Sequence, residues 1–405
     1  MLLIFVILFF ICFFPTYLFS EEVFLGQTLL FLSFPFLLFL TYITFRNRSN
    51  NFIIPPIAIL LFIFGSIFLL TIISKVSFMD LGMVINHCRF FGYALVYCLA
   101  YNIAYDNDFN LQDLRKALYM IVASLLLFIL FHFAAPELAI VKLQTPRLAI
   151  DFTGFRIGGP LEWSYIFAFC ITPVLIMAIH ETIRREGGTL SLILALLLMG
   201  TLLLSQSKSA YLATFCTLLL YLCFSFLNYR SNKLLITLVT LSACALTYTF
   251  ITFSDQFAHI WGFIDSLESG QSDASTKARL NQISLIALTV ENSILMGYPI
   301  IYENIENGFA HYLYFYGLIG LTAYLAFIGS FWFDCYYKCR QFFLMQKGKN
   351  MGLHLGILAF ATVVPIYALS ASPTDSHKGA YFFFSLMAFY AGLIDKNTKV
   401  STRSK

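Results

Sequence analysis

Arg156, Lys208, Lys277 and Arg279 are side chains through which this sequence could do chemistry. They fall in three compact clusters beside Gly, Pro, Ser or aromatic residues. The first carries Lys142, Arg147 and Arg156 and closes on Phe155-Arg156-Ile157-Gly158-Gly159-Pro160. The second is the turn Ser205-Gln206-Ser207-Lys208-Ser209-Ala210, and the third is a long polar interval that supplies Lys277 and Arg279. Arg offers a fixed fork of N–H donors suited to phosphate oxygens, and Lys acts as a point charge. Several such cations at one membrane face suit a lipid-linked pyrophosphate, an anionic headgroup that is also a leaving group. Charge builds on it as a sugar–phosphate bond breaks, so fixed cations would stabilise the transition state more than the ground state. No divalent metal or other cofactor is then required. The same cations could instead bind lipid phosphates or pair with the scattered carboxylates of the long interval.

The elements that must position these residues are membrane helices. The chain is 60% hydrophobic and 11% charged, with a mean hydropathy of +0.81, which leaves the polytopic membrane protein and no soluble domain. The net charge of +4 therefore does not point to nucleic acid. Twelve apolar stretches approach the roughly 20 residues that cross a bilayer, at 2–19, 28–45, 53–73, 83–104, 117–134, 160–179, 189–204, 210–227, 234–252, 309–333, 351–370 and 380–394. The expected fold is an all-α, single-domain transmembrane bundle over 1–405, with one large extracytoplasmic loop at 253–308. Leu280, Ile283, Ala287 and Val290 recur in that loop at helical spacing, so it is expected to be folded.

Orientation follows from the cations. One set of alternate loops holds sixteen Lys and Arg and the other eight; Arg89, inside a stretch, completes the twenty-five. Both termini are expected in the cytoplasm and the three cationic clusters outside. The N-terminus lacks the basic region and cleavage site of a signal peptide, so the first stretch is expected to be retained. None of the nine cysteines forms a CxxC pair, and Cys335 and Cys339 have no partners that would complete a metal set. His87 and Arg89 lie near the outer end of the fourth stretch. Charge there is a functional hypothesis by default, although Arg89 could also snorkel to the interface. His132, His180, His259 and His354 sit at stretch ends and receive no role.

Arg-Ile-Gly-Gly-Pro before a stretch, Ser-Gln-Ser-Lys-Ser-Ala-Tyr-Leu-Ala, Ala-Arg followed by Gly-Tyr-Pro, and Glu-Asn-Gly-Phe-Ala-His-Tyr-Leu-Tyr-Phe-Tyr-Gly-Leu-Ile-Gly resemble landmarks of the O-antigen polymerases and ligases. Those bacterial enzymes move glycans from undecaprenyl pyrophosphate at the outer face of the inner membrane. The resemblance covers residues 140–330 and rests on the order of motifs. It implies binding or catalytic roles for Arg156 and Arg279, and for Lys208 where the related pattern has Arg. Lys277, Arg147 and Asn307 join the expected substrate-binding set. The family's ligases carry His-Asn where this chain has Glu306-Asn307, closer to an acidic pair of polymerases. His311 lies five residues on. A carboxylate or imidazole within reach of an acceptor hydroxyl would be the general base. The resemblance thus implies a polymerase acting on undecaprenyl-pyrophosphate-linked oligosaccharide, with a chain-length regulator as a possible partner. A ligase that uses lipid A core is the alternative enzyme. A flippase or transporter is the alternative class, although no internal repeat is visible.

Reporter fusions test the expected topology. Fusions after Arg185 and Lys349 should report cytoplasm and one after Asp273 the outside; a cytoplasmic signal at Asp273 would put every named cation in the wrong compartment.

Overall fold

The computed structural model describes residues 1–16, 25–46, 51–73, 81–135, 138–144, 157–161, 163–228, 252, 269, 277, 281–282, 286, 293–297, 305–345 and 350–403. Among the described residues there is no strand. The helices are α1 (Leu2–Phe13), α2 (Leu25–Phe45), α3 (Pro56–Ile73), α4 (Leu81–Asp106), α5 (Leu111–Ala134), α6 (Ala139–Gln144), α7 (Ser164–Arg184), α8 (Gly188–Leu204), α9 (Lys208–Asn228), α10 (Gly308–Met345), α11 (Met351–Ala368) and α12 (His377–Arg403). Short 3₁₀ turns occupy Gly159–Leu161 and Pro373–Asp375. Eleven of the expected apolar stretches coincide with helices. The stretch 234–252 lies outside the described residues except for Thr252, as does most of 253–308.

Among the described residues, four helices are long and apolar enough to cross a membrane: Leu111–Ala134, Ser164–Arg184, Gly308–Gln341 and Met351–Ala368. Their boundaries have local causes. Asn110 caps α5 by accepting from the Asp113 N–H while the Asp113 carboxylate accepts from the Asn110 N–H. The α7 helix stops where Arg185 turns left-handed. Apolar on all sides, α7 is buried along nearly its whole length, as a central bundle helix must be. It packs against α8 and α11, while α4 packs against α2, α3 and α12. Gly356 lets α11 approach the Pro173 carbonyl on α7, and Gly392 lets α12 approach the Tyr101 carbonyl on α4. His180 and His354 are buried between helices, where each ring Nδ1 shares a hydrogen bond with a tyrosine hydroxyl, Tyr221 at 2.9 Å and Tyr390 at 2.7 Å.

Polar contacts gather at the two ends of the bundle. At one end Glu181 receives a two-pronged Arg115 guanidinium, each contact 2.7 Å, and the Tyr119 hydroxyl at 2.5 Å. The same end pairs Lys338 with Asp334 at 2.6 Å, and the Tyr101 hydroxyl donates to Asp395 at 3.0 Å. The opposite end carries Thr16, Gln144, Pro160, Ser372 and Lys378. Starts of some helices meet ends of others at each, so the helices alternate in direction.

The α10 helix departs from the expectation of one uninterrupted span at 309–333. Gly317 has φ 65° and ψ −160°, a conformation that side-chain-bearing residues rarely adopt. A straight helix would put Tyr312 and Tyr324 about 18 Å apart along its axis. Their rings instead stack with centroids 4.0 Å apart, and Phe309 also reaches Tyr324 at 5.9 Å. The chain therefore folds sharply at Gly317, laying a short helix, Gly308–Tyr316, across the head of a long one. The preceding segment completes the bend. The N–H groups of Leu318 and Ile319 donate to the carbonyls of Ile294 (2.9 Å) and Leu295 (3.3 Å) rather than within the helix. Gly297, at φ 69°, lies directly against Gly317, and a Cβ on either would overlap backbone of the other segment.

Gly297→Ala and Gly317→Ala should each destabilise the protein by at least ~1–3 kcal/mol from backbone strain. Gly329→Ala, in helix with open space around it, should be neutral or slightly stabilising. Thermal melts in detergent would measure this, and equal melting temperatures for all three would contradict the crossing.

Candidate functional site

The short helix exposes different chemistry on three stripes, each an i, i+4 set. Tyr312 and Tyr316 face the bundle, with Phe68 ring centroids at 5.3 Å and 4.5 Å. Ala310 and Tyr314 face the other way and form a small buried cluster with Ile305 and Ile286 of the long interval before the helix. Asn307, His311 and Phe315 make the third stripe, which is only partly buried. The His311 ring lies 4.3 Å from that of Phe315.

Asn307 fixes the head of this helix. Its side-chain oxygen accepts from the Ala310 N–H at 2.9 Å, a helix cap, and its amide donates to the Leu369 carbonyl at 2.7 Å. Gly308 follows, close against Ala368 and Ser372. Ser372 in turn shares hydrogen bonds with Tyr324 (3.3 Å) and Thr374 (2.8 Å). Glu306 precedes the helix, as the sequence allows, and is exposed; its N–H donates to the Gln282 side chain at 3.3 Å. Lys277 is helical and exposed.

Lys208 opens α9 and is partly buried among Ser205, Gln206, Ser207 and Ser209, all buried. Gln206 is left-handed at φ 46°, and the Ser207 hydroxyl accepts from the Ala210 N–H at 3.4 Å to cap α9. The Ile157 N–H donates to the Leu204 carbonyl at 3.1 Å. The residue after Arg156 is thereby joined to the end of α8, four residues before Lys208. Arg147, Arg156 and Arg279 lie outside the described residues.

Two residues organise this end more than their sequence context indicated. Lys378 is 1% exposed. Its ammonium donates to Thr16 Oγ1 (2.7 Å), Gln144 Oε1 (2.8 Å) and the Pro160 carbonyl (2.7 Å). It therefore ties the chain after α1, the end of α6 and the Gly159–Leu161 turn to the start of α12. Gln144 strengthens the knot by donating to the Phe13 carbonyl at 2.7 Å. Arg89 is buried in α4, with Nη2 donating to the Tyr312 hydroxyl at 3.3 Å and its guanidinium 5.7 Å from the Phe90 ring centre. The sequence signals were a lysine directly after a Ser/Thr-rich turn and a cation inside an apolar stretch.

Amide, imidazole and carboxylate groups thus occur within six residues at one bundle end, beside serine and threonine hydroxyls and several aromatic faces. Such groups can bind sugar hydroxyls, and the imidazole or carboxylate can accept a proton. Among the described residues no set of three or more His, Cys, Asp or Glu gathers to hold a metal ion. No family model matches the chain, and no curated protein is significantly similar to it.

Replacing Lys378 tests the knot. Lys378→Met keeps the bulk but strands buried acceptors, each costing ~1–3 kcal/mol. Lys378→Arg should restore little, because a planar fork cannot reproduce the three directions of an ammonium. A wild-type melting temperature for Lys378→Met would contradict this account.

Proposed function

We propose that the protein is a surface-polysaccharide polymerase of the O-antigen type, a glycosyltransferase in the bacterial inner membrane. On this reading the chain has about twelve spans, both termini are cytoplasmic, and the candidate site faces outside. One undecaprenyl-pyrophosphate-linked glycan is transferred to the terminal sugar of another carrier's repeat unit. The acceptor hydroxyl oxygen attacks the anomeric carbon. The bond from that carbon to the pyrophosphate oxygen breaks, and its electron pair leaves with undecaprenyl pyrophosphate. The hydroxyl proton passes to Glu306 or His311. Arg156, Arg279 and Lys208 neutralise the departing pyrophosphate, with Arg147 and Lys277 drawing the anion to the site. Asn307 bonds the substrate or holds the short helix in place.

The supporting observation is the meeting of two motif-bearing segments at one bundle end. The Ile157–Leu204 hydrogen bond joins the Arg156 motif to the Lys208 turn. The Lys378 contact to Pro160 links that pair to the start of α12, preceded by the Ser372–Thr374 turn on which the Asn307–His311 helix is seated. A pyrophosphate and an acceptor hydroxyl need that proximity of cations to a base.

Deleting the gene separates the readings. Loss of a polymerase should collapse a ladder of glycan lengths to one short band, because attachment of a single repeat unit is another enzyme's reaction. Glu306→Gln, which keeps size and hydrogen bonding but removes the proton acceptor, should do the same. Loss of every band on deletion would favour the ligase. A normal ladder with Glu306→Gln and a collapsed one with His311→Ala would move the base to the imidazole.

A further inference from the structure

Within the long interval, Ser293–Gly297 forms an apolar knuckle. Ile294, Leu295 and Met296 are all exposed, Leu295 at 60%, and so are Leu318 and Ile319, to which the knuckle is bonded. Single exposed apolar residues are ordinary, but a contiguous group marks a surface with a partner. The knuckle is also held in one shape. Its Ile294 and Leu295 carbonyls accept from Leu318 and Ile319, its Gly297 N–H donates to the Ser293 carbonyl at 2.9 Å, and Gly297 is wedged against Gly317.

We infer that this knuckle is embedded in the hydrocarbon of the bilayer, anchoring this part of the long interval to lipid tails beside the short helix. The occupant follows from continuity. Leu318 and Ile319 begin the exposed face of the long part of α10, which runs on through Leu325 and Phe333, the latter 66% exposed. That helix is among those long and apolar enough to cross a membrane, so the knuckle extends its outward apolar face. No charged residue occurs from Ser293 to Gly297. Lipid demands that non-helical backbone be paired within the protein, and four of the knuckle's backbone groups are: the Ser293, Ile294 and Leu295 carbonyls and the Gly297 N–H. The inference does not depend on the proposed reaction. Its consequence is mechanical, because the segment that bends α10 at Gly317 is then held from the lipid side as well as by the bundle.

The test uses the full chain in nanodiscs, with Trp163, Trp261 and Trp332 replaced by Phe and a single tryptophan introduced as Leu295→Trp. Phe333→Trp serves as the lipid-facing reference. Phosphatidylcholine with brominated tails should quench Leu295→Trp emission to an extent comparable with the reference, and aqueous acrylamide should quench it weakly. Strong acrylamide quenching without a bromolipid effect would overturn the inference by placing the knuckle in water. Resistance to both quenchers would overturn it by placing the knuckle under protein, whether the chain's own outer interval or a second copy. If Leu295→Trp is not monodisperse on size exclusion, Met296→Trp reports the same surface with the same outcomes.

Discussion

The contact between Gly297 and Gly317 is the constraint on which the candidate site depends. Two backbones pass so closely that neither position has room for a Cβ, and both residues have positive φ. The N–H groups that the bend removes from the α10 ladder are met by the Ile294 and Leu295 carbonyls. Without that substitution the break would leave main-chain donors unpaired, which a membrane protein cannot tolerate. With it, Gly308–Tyr316 becomes a separate helix with one stripe on the bundle, one against the long preceding interval and one partly open. Asn307 and His311 share the open stripe because they are four residues apart.

The bundle beneath supplies a seat held by polar clusters at its two ends. Lys378 is buried, yet its ammonium meets two side-chain oxygens and a carbonyl from three separate segments. At the far end Glu181 meets Arg115 and Tyr119 in the same manner. Buried charge of this kind adds little net stability but is costly to break, so each cluster fixes which helix ends lie together. Fixing those ends brings the Pro160 turn, and through Ile157 the Lys208 turn, to the end where the short helix lies.

The helices were legible in the sequence because apolar runs of near-spanning length admit little else, and their boundaries agree with the described helices within a few residues at most ends. The break at Gly317 was not legible. Apolar residues continue through it, and hydropathy carries no signal of a bend. A Gly-Tyr-Pro and a Gly-Leu-Ile-Gly twenty residues apart marked the two glycines, but only the structure shows that they touch. Glu306, Asn307 and His311 were named through the resemblance of their motif, together with the ability of a carboxylate or imidazole to accept a proton. The Lys378 knot could not, because its acceptors Thr16, Gln144 and Pro160 are separated from it by more than two hundred residues.

The central claim is that a glycan is lengthened at this bundle end at the expense of a lipid pyrophosphate. The most direct measurement reconstitutes the full chain in vesicles with an oligosaccharide on undecaprenyl pyrophosphate and follows both products by mass spectrometry. The account predicts glycans that grow by whole repeat units, with one undecaprenyl pyrophosphate released for each bond formed. Unchanged glycan length and no released carrier, with the intact lipid-linked sugar moved to the opposite leaflet, would contradict it and identify a transporter.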